Sequence, residues 1–96
     1  MKKTYILSAQ RTPIGSFMGS LSAMQATELG AHAVRAALQK SKIEPNLIEQ
    51  LIVGQVMPTG GGQHVAKQIS AKSGLPSSTI TYSVNKVCAS SMKAIH

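Results

Sequence analysis

Gln50-Leu51-Ile52-Val53-Gly54-Gln55-Val56 is nearly continuous in apolar residues. A run of this kind fits a strand covered on both faces, which places it in a sheet between helical layers. The preceding residues agree. From Ala26 to Lys40, the residues Leu29, Ala33, Val34, Ala37 and Leu38 recur on one face with helical period. Glu28 near the start and Lys40 near the end suit the helix dipole, with Thr27 or Ser22 the expected cap. Ser41 to Asn46 ends the helix, because the residue before Pro45 avoids the α region. Helix and then buried strand at this spacing is the rhythm of a βαβ unit.

The rest of the chain extends that rhythm. Thr4 to Ala9 reads as a first strand, broken at Arg11-Thr12-Pro13-Ile14-Gly15 and followed by a loop to about Leu21. Pro58-Thr59-Gly60-Gly61-Gly62 reads as a flexible connector. It lacks the lysine and hydroxyl residue of a phosphate-binding loop and the spacing of a dinucleotide fingerprint. A helix from Gln63 to about Ser73 would turn Val65 and Ile69 inward and stop at Gly74 and Pro76. Ser78 to Val84 alternates, with Ile80, Tyr82 and Val84 on one face and Thr79, Thr81 and Ser83 on the other, which reads as a third strand. From Cys88 onward, Ala89, Met92, Ala94 and Ile95 suit a helix, and the chain stops at His96 without a cap. The expected order is therefore βαβαβα, an incomplete α/β arrangement of layered helices and sheet, cut within its last helix.

Composition narrows the partners. Apolar residues make up 43% and aromatics 3%, so any core is aliphatic and few rings are available to stack bases. Lysine and arginine number 10 against 3 acids, a net charge of +7, but they are scattered rather than clustered. Nucleic acid and membrane are therefore not the expected partners. One cysteine excludes an internal disulfide, and no zinc-ligand spacing is present, so no metal site is expected. The apolar run after Lys2-Lys3 stops at Gln10-Arg11, too short for a signal sequence or a membrane span. A cytoplasmic location is the expectation, with mitochondrial and peroxisomal compartments left open.

That single cysteine lies in Ser83-Val84-Asn85-Lys86-Val87-Cys88-Ala89-Ser90-Ser91-Met92-Lys93, between a strand and a helix start. A lone cysteine in an apolar stretch is most often a small buried hydrophobe. At a strand-to-helix turn, however, unsatisfied N–H groups stabilise a thiolate and can hold the oxyanion formed when it attacks a carbonyl. That geometry suits acyl transfer through a thioester. No base accompanies it. His32 falls on the first helix, His64 opens the second, and His96 lies eight positions after Cys88, about 12 Å along a helix.

Asn85-Lys86-Val87-Cys88-Ala89-Ser90 closely resembles the acyl-enzyme cysteine segment of thiolases, particularly of the acetyl-CoA acetyltransferase type. Ile6 to Phe17 resembles the opening strand and loop of that family. Glu28-Leu29-Gly30 resembles its first helix, Gly62-Gln63 and Lys67-Gln68 its glycine loop and next helix, and Gly74-Leu75-Pro76 also agrees. The resemblance implies that residues 1–96 are the first portion of a thiolase N-terminal domain. It further implies that Cys88 is the nucleophile taking an acetyl group from acetyl-CoA, its backbone N–H an oxyanion donor. A second acetyl-CoA would then give acetoacetyl-CoA, or thiolysis would run in reverse, in fatty acid and ketone body metabolism. CoA thioesters would be substrates, no cofactor would be tightly bound, and the enzyme would be a dimer or tetramer. The activating histidine and second cysteine of the family come from later segments, so residues 1–96 alone are expected to be inactive.

Three departures stand out. Ser91 takes a position usually held by Gly and is expected to crowd the acyl site. Lys67 stands where Arg is common, and Val65 where Pro is frequent. Two alternatives remain at this point: a β-ketoacyl synthase-like condensing enzyme, and a non-catalytic truncated fragment or interface partner.

Overall fold

The computed structural model describes residues 2–96. Its elements are helix α1 (Ala26–Ser41), a 3-10 turn (Pro45–Leu47), strand β1 (Gln50–Gly54), helix α2 (Val65–Lys72), strand β2 (Ile80–Val84) and helix α3 (Ser90–Ile95). The two strands run parallel, with Gln50 opposite Ile80 and Gly54 opposite Val84. The α/β class and the parallel crossover expected from the sequence are both present.

The leading strand is not. Thr4 to Ala9 carries no strand, and among the described residues Lys2 to Gln10 make no backbone hydrogen bond to β1. The segment passes near β1, where Leu7 and Ser8 line a cleft with Leu51, Val34 and Leu38, yet Tyr5, Ile6 and Leu7 remain exposed. The consecutive apolar residues Tyr5, Ile6 and Leu7 state a preference for cover. They do not supply the ladder that defines a strand. The observed order is accordingly αβαβα.

Helix α1 begins without a side-chain cap, at Gln25. Thr27, an expected cap, is instead the second helical residue, buried, and its hydroxyl accepts from Lys72 Nζ at 2.9 Å. The helix ends at Lys42, in the left-handed region at φ 59°. Against α1 packs α2, with Ala31, Val65, Ala66, Ile69 and Leu75 forming the buried apolar core. Gly30 lets the helices approach, since a Cβ there would lie 2.6 Å from Ile69 Cδ1. Helix α2 stops where expected. Gly74 is left-handed at φ 80°, and the N–H groups of Gly74 and Leu75 donate to Ala71 and Ser70 carbonyls. That is a Schellman closure, and Leu75 tucks into the core beside it.

Ser70 sits in the same helix, 1% exposed, and its hydroxyl has no partner among the described residues. Replacing it by alanine removes an unsatisfied buried polar atom, so Ser70→Ala is expected to stabilise the fold by about 1 kcal/mol. Urea denaturation of the two proteins checks this, and a loss of stability would show that the hydroxyl is bonded.

The sheet has unlike faces. Thr79 and Thr81 turn towards α2: Thr79 is buried and donates to the Ile48 carbonyl at 2.8 Å, while Thr81 Oγ1 lies 3.4 Å from His64 Nε2. The apolar face of β2 points the other way, leaving Ile80 and Tyr82 59% and 43% exposed. On that side α3 packs mainly against β1. Contact is closest at Gly54, where a Cβ would come within 2.6 Å of the Ser90 carbonyl carbon and oxygen.

The glycine connector is held in place. Gln68 Nε2 donates to the carbonyls of Gly61 and Gln63, each at 2.7 Å, and Gly60 and Gly62 adopt positive φ. Both glycines supply a backbone conformation that other residues adopt at a cost. No described helix is long and apolar enough to cross a membrane.

Candidate active site

The carboxyl ends of β1 and β2 meet at the turn that carries Cys88. Beyond the ladder, the Gln55 N–H donates to the Val84 carbonyl at 3.1 Å, and Asn85 Nδ2 donates to the Val56 carbonyl at 3.0 Å. These bonds tie the two strand ends together just before the chain reverses.

The reversal turns on Val87, at φ 49°. A β-branched residue in the left-handed region is a true outlier and stores about 1–3 kcal/mol of strain. Side chains hold it from both sides. Asn85 Oδ1 accepts the Val87 N–H at 2.9 Å, and Ser90 Oγ donates to the Val87 carbonyl at 2.6 Å. The Ser90 hydroxyl also accepts the Lys86 N–H at 3.0 Å and is itself buried.

Around the cysteine almost every backbone donor is engaged. Lys86 and Val87 donate to side chains, Ala89 to the Lys86 carbonyl at 3.0 Å, and Ser90 to the Val87 carbonyl at 3.2 Å. Among the described residues the Cys88 N–H has no acceptor, and the thiol is free and exposed. Cys88 is thus not the buried hydrophobe that its apolar surroundings permit. It precedes α3 rather than opening it, because Ala89 is the N-cap.

No base stands beside it among the described residues. His64 caps α2, its Nδ1 accepting the Lys67 N–H at 3.2 Å, and His32 lines a cleft along α1 with Arg35 and Lys42. The His96 N–H donates to the Met92 carbonyl, continuing α3. The acids Glu28, Glu44 and Glu49 all lie on α1 or the connection to β1, so no carboxylate accompanies the cysteine. Lys86 and Lys93 are the nearest charged residues to it in the sequence. No group of described residues has the makings of a metal site.

Of the departures, Ser91 is exposed and makes no side-chain hydrogen bond among the described residues. Lys67 Nζ reaches the Ser77 carbonyl at 3.4 Å, and Val65 is buried in the core. Sequence reasoning missed Asn85, Ser90 and Gly54 as parts of the site. The available signals were an Asn two positions before a turn residue, and a glycine inside an apolar strand. A cavity of about 270 Å³ lies behind the turn, lined by Gln55, Pro58, Gly62, His64, Ser83 and Asn85 among others.

The comparisons with known proteins converge. Residues 4–96 match the family model described as the thiolase N-terminal domain. Acetyl-CoA acetyltransferase IB of Candida tropicalis is 51% identical over 92 residues, covering 95% of this chain and 23% of that protein. The acetyl-CoA acetyltransferase of Cupriavidus necator is 42% identical over 95 residues, with 99% and 24% covered. Among solved structures, the Acat5 thiolase of Ascaris suum, crystallised with coenzyme A, superposes at a TM-score of 0.93 with 47% identity, covering 95% of this chain and 24% of that one. The chain spans about a quarter of the length of these relatives. A parallel α/β layer, a cysteine at its strand-to-helix turn and these matches lead to one assignment: the chain belongs to the thiolase family, matching its N-terminal domain.

Proposed function

We propose that the chain supplies the nucleophilic half of a thiolase-type acyltransferase. The observation that carries this reading is the exposed Cys88 thiol beside its own unengaged N–H, in a chain whose relatives are named acetyl-CoA acetyltransferases. In the acylation half, the Cys88 thiolate attacks the carbonyl carbon of acetyl-CoA, and the Cys88 N–H donates to the developing oxyanion. Collapse of the tetrahedral adduct breaks the carbon–sulfur bond to CoA, which leaves as its thiolate and takes a proton. In the second half, acetyl-CoA deprotonated at its methyl attacks the acetyl-Cys88 carbonyl. A carbon–carbon bond forms, the bond to Cys88 breaks, and acetoacetyl-CoA departs; thiolysis is the reverse.

CoA thioesters are the substrates in this reading, with no tightly bound cofactor, a homo-oligomeric state and a cytoplasmic location. Among the described residues no base is placed to activate Cys88 or to deprotonate the second substrate, so residues 1–96 are expected to show no acetoacetyl-CoA thiolysis above a Cys88→Ala control. For the acylation half, the test is a chimera in which these residues replace the matching segment of the Candida tropicalis enzyme. Brief exposure to acetyl-CoA followed by peptide mass spectrometry is expected to find the acetyl group on Cys88, and none in Cys88→Ala. Acetylation elsewhere, or activity that survives Cys88→Ala, would refute the assignment.

A further inference from the structure

We propose that Asn85 and Ser90 are positioning residues: together they clamp Val87 in its left-handed conformation, and so keep the Cys88 N–H free for the reacting carbonyl. The inference rests on the reading of Cys88 as nucleophile and adds to it the device that aims it.

Val87 is poorly suited to its backbone, and nothing about its own side chain favours φ 49°. Both polar ends of the residue are taken up by side chains. The N–H goes to Asn85 Oδ1 and the carbonyl to Ser90 Oγ, at 2.9 and 2.6 Å. Ser90 is braced in turn by the Lys86 N–H, and Asn85 by its own donation to the Val56 carbonyl at the end of β1. Two anchors therefore meet at one strained residue, one from the strand ends and one from the helix start.

The consequence falls on the next peptide. From Lys86 to Ser90, every N–H except that of Cys88 finds an acceptor among the described residues. Were Val87 to relax to negative φ, the Val87–Cys88 peptide plane would rotate and that donor would lose its direction. Strain persists only where the surroundings over-determine it, and here the surroundings are the Asn85 and Ser90 side chains.

The clamp predicts an unusual rescue. Glycine adopts the left-handed region freely, so at position 87 it needs no clamp. In the chimera described above, Asn85→Ala and Ser90→Ala are each expected to slow acetylation of Cys88 by about tenfold or more, in the maximal rate rather than in the half-saturating acetyl-CoA concentration. Val87→Gly in either background is expected to restore the rate to within about threefold of the parent, an effect no general loss of stability would give. Asn85→Asp keeps the acceptor for Val87 but loses the donor to Val56, so its rate is expected to fall between those of Asn85→Ala and the parent. In the unaltered 96-residue protein, nuclear magnetic resonance couplings and carbon shifts report the sign of φ at Val87 directly.

Unchanged rates in Asn85→Ala and Ser90→Ala, or failure of Val87→Gly to restore them, would overturn the clamp. So would a Val87 that keeps positive φ in the Asn85→Ala/Ser90→Ala protein. If the parent chimera acetylates no better than Cys88→Ala, the nucleophile reading itself is lost, and the clamp is judged on the backbone of Val87 alone.

Discussion

Gly54→Ala is expected to destabilise the protein by about 2–4 kcal/mol and to lower transfer to Cys88 about a hundredfold in the chimera. A Cβ at position 54 would lie 2.6 Å from the Ser90 carbonyl carbon and oxygen and 2.7 Å from Ser91 N. These are backbone atoms, so no rotamer change relieves the overlap, and the start of α3 must move away from β1. That start carries the Ser90 hydroxyl and lies two residues from Cys88, so displacement by a fraction of an ångström disturbs the turn as well as the packing. Thermal unfolding followed by circular dichroism reads the first effect, and mass-spectrometric acetylation rates read the second. An alanine variant that is as stable and as reactive as the parent would show that α3 does not rest on Gly54.

Ile69→Ala is expected to cost about 3 kcal/mol, a large share of the stability of a domain this small. Ile69 is 3% exposed at the centre of the α1–α2 contact, and the other buried apolar residues are Ala31, Val65, Ala66 and Leu75. Truncation leaves a void facing Gly30, because Ile69 Cδ1 and Cγ1 occupy the space a Cβ at position 30 would need. The two sites should therefore couple. Gly30→Ala alone sets a clash against a gain in helix propensity, whereas in the Ile69→Ala background only the gain remains, about 1 kcal/mol. A double-mutant cycle in urea is expected to show favourable coupling of at least about 0.5 kcal/mol, and additivity within error would contradict the packing described.

Both helices of this contact were legible in the sequence because their apolar faces repeat with the helical period. Val65 and Ile69 point inward as that period requires. The strands were legible as elements but not at their ends. The sequence run extends through Gln55 and Val56, whereas β1 ends at Gly54; past that point one backbone bond, Gln55 N–H to the Val84 carbonyl, and the Asn85 side chain take over the pairing. Thr4 to Ala9 failed more completely: a short apolar run, Tyr5 to Leu7, with no ladder beside it. Thr27 looked like a cap because threonine favours that position, but the helix begins at Ala26 and the hydroxyl meets Lys72 across the core.

For the candidate site, Cys88 stands out in the sequence by residue type and by its place between strand and helix, and the structure puts its exposed thiol at that turn. Its surroundings were not. The sign of φ at Val87 is a property of the folded turn, and nothing about valine announces it. Asn85 and Ser90 are common turn and helix-start residues, and only the geometry shows that both grip the same peptide unit. Gly54 gave a fair hint, as a glycine inside a strand often marks the close approach of another backbone.

The parallel pairing of β1 and β2 has a consequence for how such a chain can vary. Because the strands point the same way, their carboxyl ends bring the 55–64 connection and the Cys88 turn to one pole, while the Ile80 N–H donates to the Glu49 carbonyl at the opposite pole. Substitutions at the first pole can alter what is recognised without disturbing the ladder, and those at the second can alter foldability without touching the thiol. Selection on the two properties can therefore proceed through separate sets of residues, except at Gly54, where the last rung of one strand is also the floor under the helix that follows the Cys88 turn.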